Sequence, residues 1–363
     1  MYLTDPVKDN KMMQRTVVKK LSETDIDINT IRQAGHILRT GGLVAFPTET
    51  VYGLGADALQ PEASKKIYAA KGRPSDNPLI VHVCRFEDLN KIAAYIPKAA
   101  RLLADVFWPG PLTMILEKSA EVPYETTGGM DTVAVRMPSN KIALALIQEG
   151  GGYIAAPSAN TSGRPSPTLA AHVFEDLKDK IPLILDGGAV GIGIESTIID
   201  LTEDIPVVLR PGFITVDMLT KIIGEVRMDP GILAEDENIK PKAPGMKYRH
   251  YAPKAEMIVV EGVRENVIKK INELSQEKMK QGKKVGIIGT EETAECYGYG
   301  LVISIGKRRE EEMIAQNLYK ILRQFDESDV DIIFSESFST LRMGQAIMNR
   351  LLKAAGHQII VAE

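Results

Sequence analysis

Four short polar motifs, each at one end of an apolar run, constrain this chain more than any other feature: PTETVYGLG from Pro47 to Gly55, KGRPSDNPLIVHV from Lys71 to Val83, APSANTSG from Ala156 to Gly163, and GIESTIID from Gly193 to Asp200. Hydroxyl, amide and cationic side chains at strand ends are the pattern of an open α/β sheet, which presents its ligand-binding groups there. A single edge of this kind arises by chance. Four in one half of a chain predict one polar pocket for an anionic, multifunctional ligand.

A length of 363 residues exceeds one ordinary core and predicts two domains. A net charge of −4 offers no global basic field, so strong direct nucleic-acid binding is not expected. The first residues, MYLTDPVKDNKMMQ, lack the apolar core of a signal peptide, and no apolar run approaches the ~20 residues of a membrane span. Cys84 and Cys296 are the only cysteines and lie in no paired motif, which fits a reducing cytoplasm. His36, His82, His172, His250 and His357 show no ligand spacing, so a metal would arrive with a nucleotide.

Residues 1 to about 225 alternate strand-like and helix-like patterns. Ile31, Ala34, Ile37 and Leu38 share a helical face that Gly41-Gly42 ends, before a strand at 43–46. Pro61 opens a second helix that ends by Gly72, putting Lys71 and Arg73 at a helix exit. Strands are predicted at 79–83, 112–117, 132–136, 153–156, 197–201 and 207–209, and helices at 97–107 and 168–177. The proline-rich stretch 228–253 reads as a linker, although its end, APGMKYRHYAP, concentrates aromatic and cationic groups. From residue 256 strands and helices alternate again, predicting a parallel Rossmann-like sheet. The expected layout is 25–225, a linker and active-site lid at 226–255, and 256–363.

Lys71 and Arg73 suit phosphate or carboxylate, the guanidinium as a fork and the ammonium as a point charge. An isolated pair at a helix exit also reads as two solvated charges that add little to a core. Thr48, Glu49 and Thr50 run into Tyr52-Gly53-Leu54-Gly55, where glycines permit a tight turn and close backbone approach; the hydroxyls alternatively cap local amides. His82 reads as ligand-facing or as a satisfied core residue. Ser158 and Asn160 are two apart and share a face in extended chain, although Asn160 also suits a turn cap. Ser166 occupies a Pro-Ser-Pro turn and Ser196 follows a glycine-rich stretch. Arg136 and Arg210 each end a strand before a proline turn, a placement that favours anions. No enzymic nucleophile motif is present, which suits nucleotidyl chemistry between two bound substrates.

Together PTETVYGLG, KGRPSDNPL, PSAN, ESTI and PGMKYRHYAP resemble the L-threonylcarbamoyladenylate synthases, the YrdC-domain family in its two-domain form. The resemblance spans all but residues 1–24. It implies a twisted open YrdC-type sheet followed by a smaller Rossmann-like domain. It also implies conversion of L-threonine, bicarbonate or carbon dioxide, and ATP, with Mg²⁺, into L-threonylcarbamoyl-AMP and pyrophosphate. Other proteins would then transfer the group to tRNA. By motif, Thr50, His82, Arg136, the Ala156 backbone and Ser196 would hold threonine. Arg73, Asn77, Thr132, Ser158, Ser166 and Arg210 would hold ATP, with Lys71, Arg73 and Asn160 at the reacting centre. Tyr248, Arg249, His250 and Tyr251 would form a lid. The competing readings are an RNA-binding module and a carbamoyl transferase of the hydrogenase-maturation type; the latter would be expected to carry zinc-finger cysteines, which this chain lacks.

Overall fold

Short apolar runs bounded by glycine, proline and polar residues become the strands of two separate sheets. The computed structural model describes residues 15–232 and 251–363. Of the expected lid, Tyr248, Arg249 and His250 lie outside the described residues, and Tyr251 lies within them.

The first sheet has eleven strands in the spatial order Val17–Lys20, Leu183–Asp186, Val44–Phe46, Gly53–Asp57, Ile154–Ala155, Ile80–His82, Thr132–Arg136, Leu112–Glu117, Thr197–Asp200, Val207–Arg210, Arg227–Met228. Pairing is mixed: Ile80–His82 runs parallel to Thr132–Arg136 but antiparallel to Ile154–Ala155. Central strands are buried along nearly their full length, which is why they read as continuous apolar runs.

Tyr52-Gly53-Leu54-Gly55 departs from the turn its glycines suggest. Gly53–Asp57 is a strand, antiparallel to Val44–Phe46 with Leu54 opposite Ala45. The glycines serve close packing: a Cβ on Gly55 would lie 2.9 Å from both the Phe46 ring and Ile154, too close for the ring to stay. Strands Val17–Lys20 and Leu183–Asp186 and helices Lys141–Glu149 and Val216–Ile223 add to the predicted elements. Val17–Lys20 is exposed on both faces and carries no alternation to read. IALALI in Lys141–Glu149 is almost unbroken apolar sequence, which blurs helical periodicity.

The second sheet is wholly parallel, in the order Leu301–Ser304, Val285–Gly289, Ile332–Glu336, Glu256–Gly262, Ile359–Ala362. Helices Glu311–Glu327 and Met343–Ala354 pack on each other and turn toward the first domain. Val51 and Ile194 of the first domain belong to the same apolar cluster as Leu318, Tyr319 and Leu351 of the second. Gly193 makes the closest approach: with φ +88°, a Cβ there would lie 2.3 Å from the Gln316 Cα. Among the described residues no helix is long and apolar enough to cross a membrane.

Candidate active site

Helix Pro61–Lys71 ends on Gly72 at φ 63°, the left-handed cap that glycine accommodates without strain, and the Arg73 amide returns to Tyr68 O at 3.0 Å. This exit turns both cations inward rather than into solvent. Lys71 is 2% exposed, and its ammonium donates to Ser158 O, to Asn160 O at 2.5 Å and to Asn160 Oδ1 at 3.3 Å. Burial, reinforced by Arg73, pushes its pKa well below the usual lysine value. Arg73 donates to Asn77 Oδ1 at 2.5 Å, Asn77 O at 3.2 Å and Pro78 O at 3.0 Å. Burial lowers its pKa to about 10, so it remains charged near neutrality.

The register His82↔Arg136 sets these two residues side by side on neighbouring parallel strands. Arg136 donates to Thr50 Oγ1 at 2.8 Å and Gly110 O at 3.2 Å, and its outer nitrogen lies 2.7 Å from Glu49 Oε1. Thr50 also contacts Thr48 Oγ1 at 2.9 Å. His82 places Nδ1 3.1 Å from Ile80 O and meets the Phe46 ring edge-on at 6.2 Å. Burial and then Arg136 hold its pKa down at about 3, so the imidazole is neutral. With Nδ1–H donated to a carbonyl, Nε2 is left as an acceptor. The Ala156 amide donates to Ile80 O at 2.8 Å, tying the third motif to the same strand end.

Ser196 and Arg210 end adjacent antiparallel strands. Arg210 donates to Ser196 O at 3.0 Å and Ser196 Oγ at 3.1 Å, and Ser196 Oγ lies 2.7 Å from Thr113 Oγ1. Ser166 donates to Glu195 Oε1 at 2.6 Å. Burial opposes the Glu195 carboxylate, but Arg350 and Arg210 outweigh it and hold the pKa at about 2.

All four motifs meet in one cleft. Thr50, Lys71, Arg73, His82, Arg136, Ala156, Ser158, Asn160, Ser166, Ser196, Arg210 and Tyr251 line it. Asn77 and Thr132 do not. Asn77 is buried and accepts the Arg73 guanidinium on its Oδ1 at 2.5 Å. Thr132 lies two residues before Ala134, the partner of Ile80, and so flanks Pro78 outside the Arg73 side of the cleft. Tyr251, on the edge of the expected lid, is 5% exposed and stacks on Tyr319 at 5.1 Å.

Glu195, Tyr52 and Arg164 line the cleft without having been singled out from sequence as ligand-facing groups. Glu195 sits inside the ESTI motif, and a charge flanked by Ile194 and a buried strand was a legible signal. Tyr52 donates to Gly188 O at 2.7 Å and receives the Gly187 amide at 3.2 Å, fastening the glycine-rich loop to the first motif. Ser158 Oγ donates to Asn160 Oδ1 at 2.5 Å, while the Asn160 amide nitrogen donates to Thr161 O and Arg164 O at 2.9 Å. The arrangement therefore offers a neutral imidazole and an anchored arginine beside small hydroxyls, with Lys71, Arg73, Arg164 and Arg210 around the same space. Such a set is chemically suited to an amino acid and a polyphosphate together.

Residues 36–212 match a family model described as telomere recombination, and residues 214–356 match one described as threonylcarbamoyl-AMP synthase, C-terminal domain. The threonylcarbamoyl-AMP synthase of Pyrococcus abyssi is 54% identical over 91% of this chain and 95% of its own length. That of Bacillus subtilis is 49% identical over 96% and 99%, respectively. The solved structure of P. abyssi Sua5 complexed with L-threonine shares 51% identity and superposes with a TM-score of 0.91, covering 96% of this chain and all of that one. This chain belongs to the threonylcarbamoyl-AMP synthase family, in its two-domain form.

Proposed function

We infer that the cleft condenses L-threonine, bicarbonate or carbon dioxide, and ATP into L-threonylcarbamoyl-AMP with release of pyrophosphate. The observation that carries this is the joining, in one cleft, of an amino-acid-sized group of Thr50, His82 and Arg136 with the cations Lys71, Arg73 and Arg210. Arg136 answers the threonine carboxylate with a guanidinium already fixed by Thr50 and Gly110, so little ordering is left for binding to cost. His82 Nε2 accepts from the substrate hydroxyl or amine. Ser196 and the Ala156 backbone complete this half. Arg73, Ser158, Ser166 and Arg210 take the nucleotide, Asn77 by bracing Arg73 and Thr132 from the outer edge.

The threonine amine attacks carbon dioxide and loses a proton to give a carbamate. A carbamate oxygen then bonds to the α-phosphorus as the bond to the bridging oxygen breaks and pyrophosphate leaves. The nucleophile belongs to the substrate, which accounts for a cleft rich in cations and lacking an enzymic nucleophile. Lys71, held by Asn160 and Ser158, and Arg73 offset charge that builds on the transferring group, the kind of fixed electrostatic help that lowers such barriers most.

Mg²⁺ arriving with ATP would neutralise phosphate charge alongside Lys71, Arg73 and Arg210. The cleft carboxylate Glu195 has both oxygens engaged by Ser166, Tyr319 and Arg350 and is a poor ligand, so no step runs through a protein-held metal. The mixed anhydride is labile and suits prompt use, and the family resemblance implies that other proteins in the cytoplasm would pass its threonylcarbamoyl group to tRNA. The test is pyrophosphate release with each substrate omitted in turn and the adenylate identified by mass. Equal release without threonine overturns the reading.

A further inference from the structure

We propose that Arg350 and Tyr319 of the second domain are positioning residues for the nucleotide half of the cleft, acting through Glu195. The proposal rests on the assignment of ATP to the Arg210 side and gives the second domain a task in the reaction.

Arg350 is fully buried on helix Met343–Ala354, and Tyr319 is fully buried on helix Glu311–Glu327. Arg350 Nε donates to Glu195 Oε2 at 3.0 Å, and the Tyr319 hydroxyl reaches the two Glu195 oxygens at 2.9 and 3.0 Å. Arg350 Nη1 also donates to Pro211 O at 2.7 Å. One guanidinium of the second domain therefore grips the residue before Ser196 and the residue after Arg210. Those are the ends of the two strands that deliver Ser196 and Arg210 to the cleft. One turn along from Tyr319, Arg323 donates to Pro165 O at 2.7 Å and to Asp176 Oδ2 at 2.9 Å, fixing the residue before Ser166. Three contacts from one domain thus stand next to three cleft residues of the other.

Electrostatics gives this grip a consequence beyond packing. Glu195 is a buried carboxylate within electrostatic reach of Arg210 as well as Arg350. With Arg350 in place its negative charge is answered from the second domain. Without it, the cations left in electrostatic reach are Arg210 and Lys353, of which Arg210 lines the cleft, and a buried carboxylate that loses its ion-pair partner draws a countercharge or takes up a proton. Arg210 would turn from the nucleotide toward Glu195. Arg350 thus keeps Arg210 available to phosphate.

The test uses full-length protein, ATP binding by calorimetry and steady-state pyrophosphate release. Arg350→Gln should raise the ATP Kd and KM by about tenfold or more, equivalent to ~1.4 kcal/mol, with a smaller rise in the threonine KM through Ser196, which adjoins Glu195 and accepts from Arg210. Adding Glu195→Gln should restore most of the ATP affinity, because the competing charge is gone. A merely structural role would give no rescue. Tyr319→Phe retains the ring packing and removes one Glu195 partner; it should show a smaller rise, also relieved by Glu195→Gln, and serves where Arg350→Gln fails to fold. An unchanged ATP Kd in folded Arg350→Gln, or in Tyr319→Phe, overturns the proposal, and so does a double variant no better than the single. Arg210→Lys is the separate control. If it shifts only threonine binding, the assignment of ATP to this half falls, whatever Arg350→Gln shows.

Discussion

Replacing Arg136 with lysine should separate the two halves of the cleft. The guanidinium makes three contacts from a 4% exposed position: Thr50 at 2.8 Å, Gly110 O at 3.2 Å and Glu49 at 2.7 Å. Lysine keeps the positive charge beside Glu49, so the buried carboxylate is not stranded. Its point-like ammonium cannot hold Thr50 and Glu49 while also facing a substrate carboxylate. The loss is therefore about one charge-assisted hydrogen bond to threonine, roughly 1.5–3 kcal/mol. That corresponds to a threonine KM raised about 10- to 150-fold. The ATP KM should move by less than about twofold, because separated sites act nearly independently. Initial rates of pyrophosphate release over a grid of threonine and ATP concentrations give both constants. A variant whose ATP KM rises while its threonine KM stays put refutes the division of the cleft. Unchanged constants for both would remove Arg136 from the site.

Three further outcomes follow from buried groups. His82 and His172 are held at about 3 and about 4 in the folded chain, below the ~6.5 of free histidine, so the unfolded chain takes up protons first as pH falls. Their contribution is intact above about pH 6.5 and is lost through a window that runs down to about 4 for His172 and about 3 for His82; urea midpoints at pH 7 and 4.5 should show this, and a His82→Gln, His172→Gln variant with an unchanged slope counts against it. Lys71→Met should slow adenylate formation roughly a hundredfold, and Lys71→Arg should not recover it because the longer fork does not fit a 2% exposed slot. A near-normal single-turnover rate in either variant removes Lys71 from the reacting centre. Gly193→Ala should lower the thermal midpoint by an amount equivalent to roughly 1–3 kcal/mol, since its Cβ meets the Gln316 backbone at 2.3 Å; wild-type melting would contradict that packing.

The first domain was legible where a polar group stands at the boundary of an apolar run. Gly72 marked the exit that aims Lys71 and Arg73, and the strand 132–136 delivered Arg136 as expected. Burial was not legible. The motif around 71 and 73 favours a site, but a helix-exit position predicts little contribution to a core. Lys71 nevertheless lies inside because the carbonyls of Ser158 and Asn160, almost ninety residues later, accept its hydrogen bonds. Its removal should consequently cost stability as well as rate, contrary to what a helix-exit position suggests. Gly53 and Gly55 misled for a related reason: the ring and side chain they make room for, Phe46 and Ile154, come from other strands.

The second domain's part in the site was hidden by the same long-range logic, carried further. In helix Glu311–Glu327 the buried stripe includes Ile314, Leu318, Leu322 and Phe325, and Tyr319 and Arg323 lie four apart beside it. A fully buried arginine is unstable without an acid, so Arg323 and Arg350 each required one somewhere in the chain. With 48 acidic residues to choose from, sequence does not say which. The fold selects Asp176 and Glu195, both in the first domain and both adjoining cleft segments. The domains are therefore joined by charges that neither could bury alone. The first domain by itself would keep Glu195 beside Arg210 with no cation from Arg350 to answer it. Severing the chain should accordingly weaken ATP binding before it weakens threonine binding, and Glu195→Gln in the isolated first domain should recover part of that loss. Calorimetry on the excised domain, with and without that substitution, measures it; equal weakening of both substrates would mean the second domain serves only to keep the first one folded.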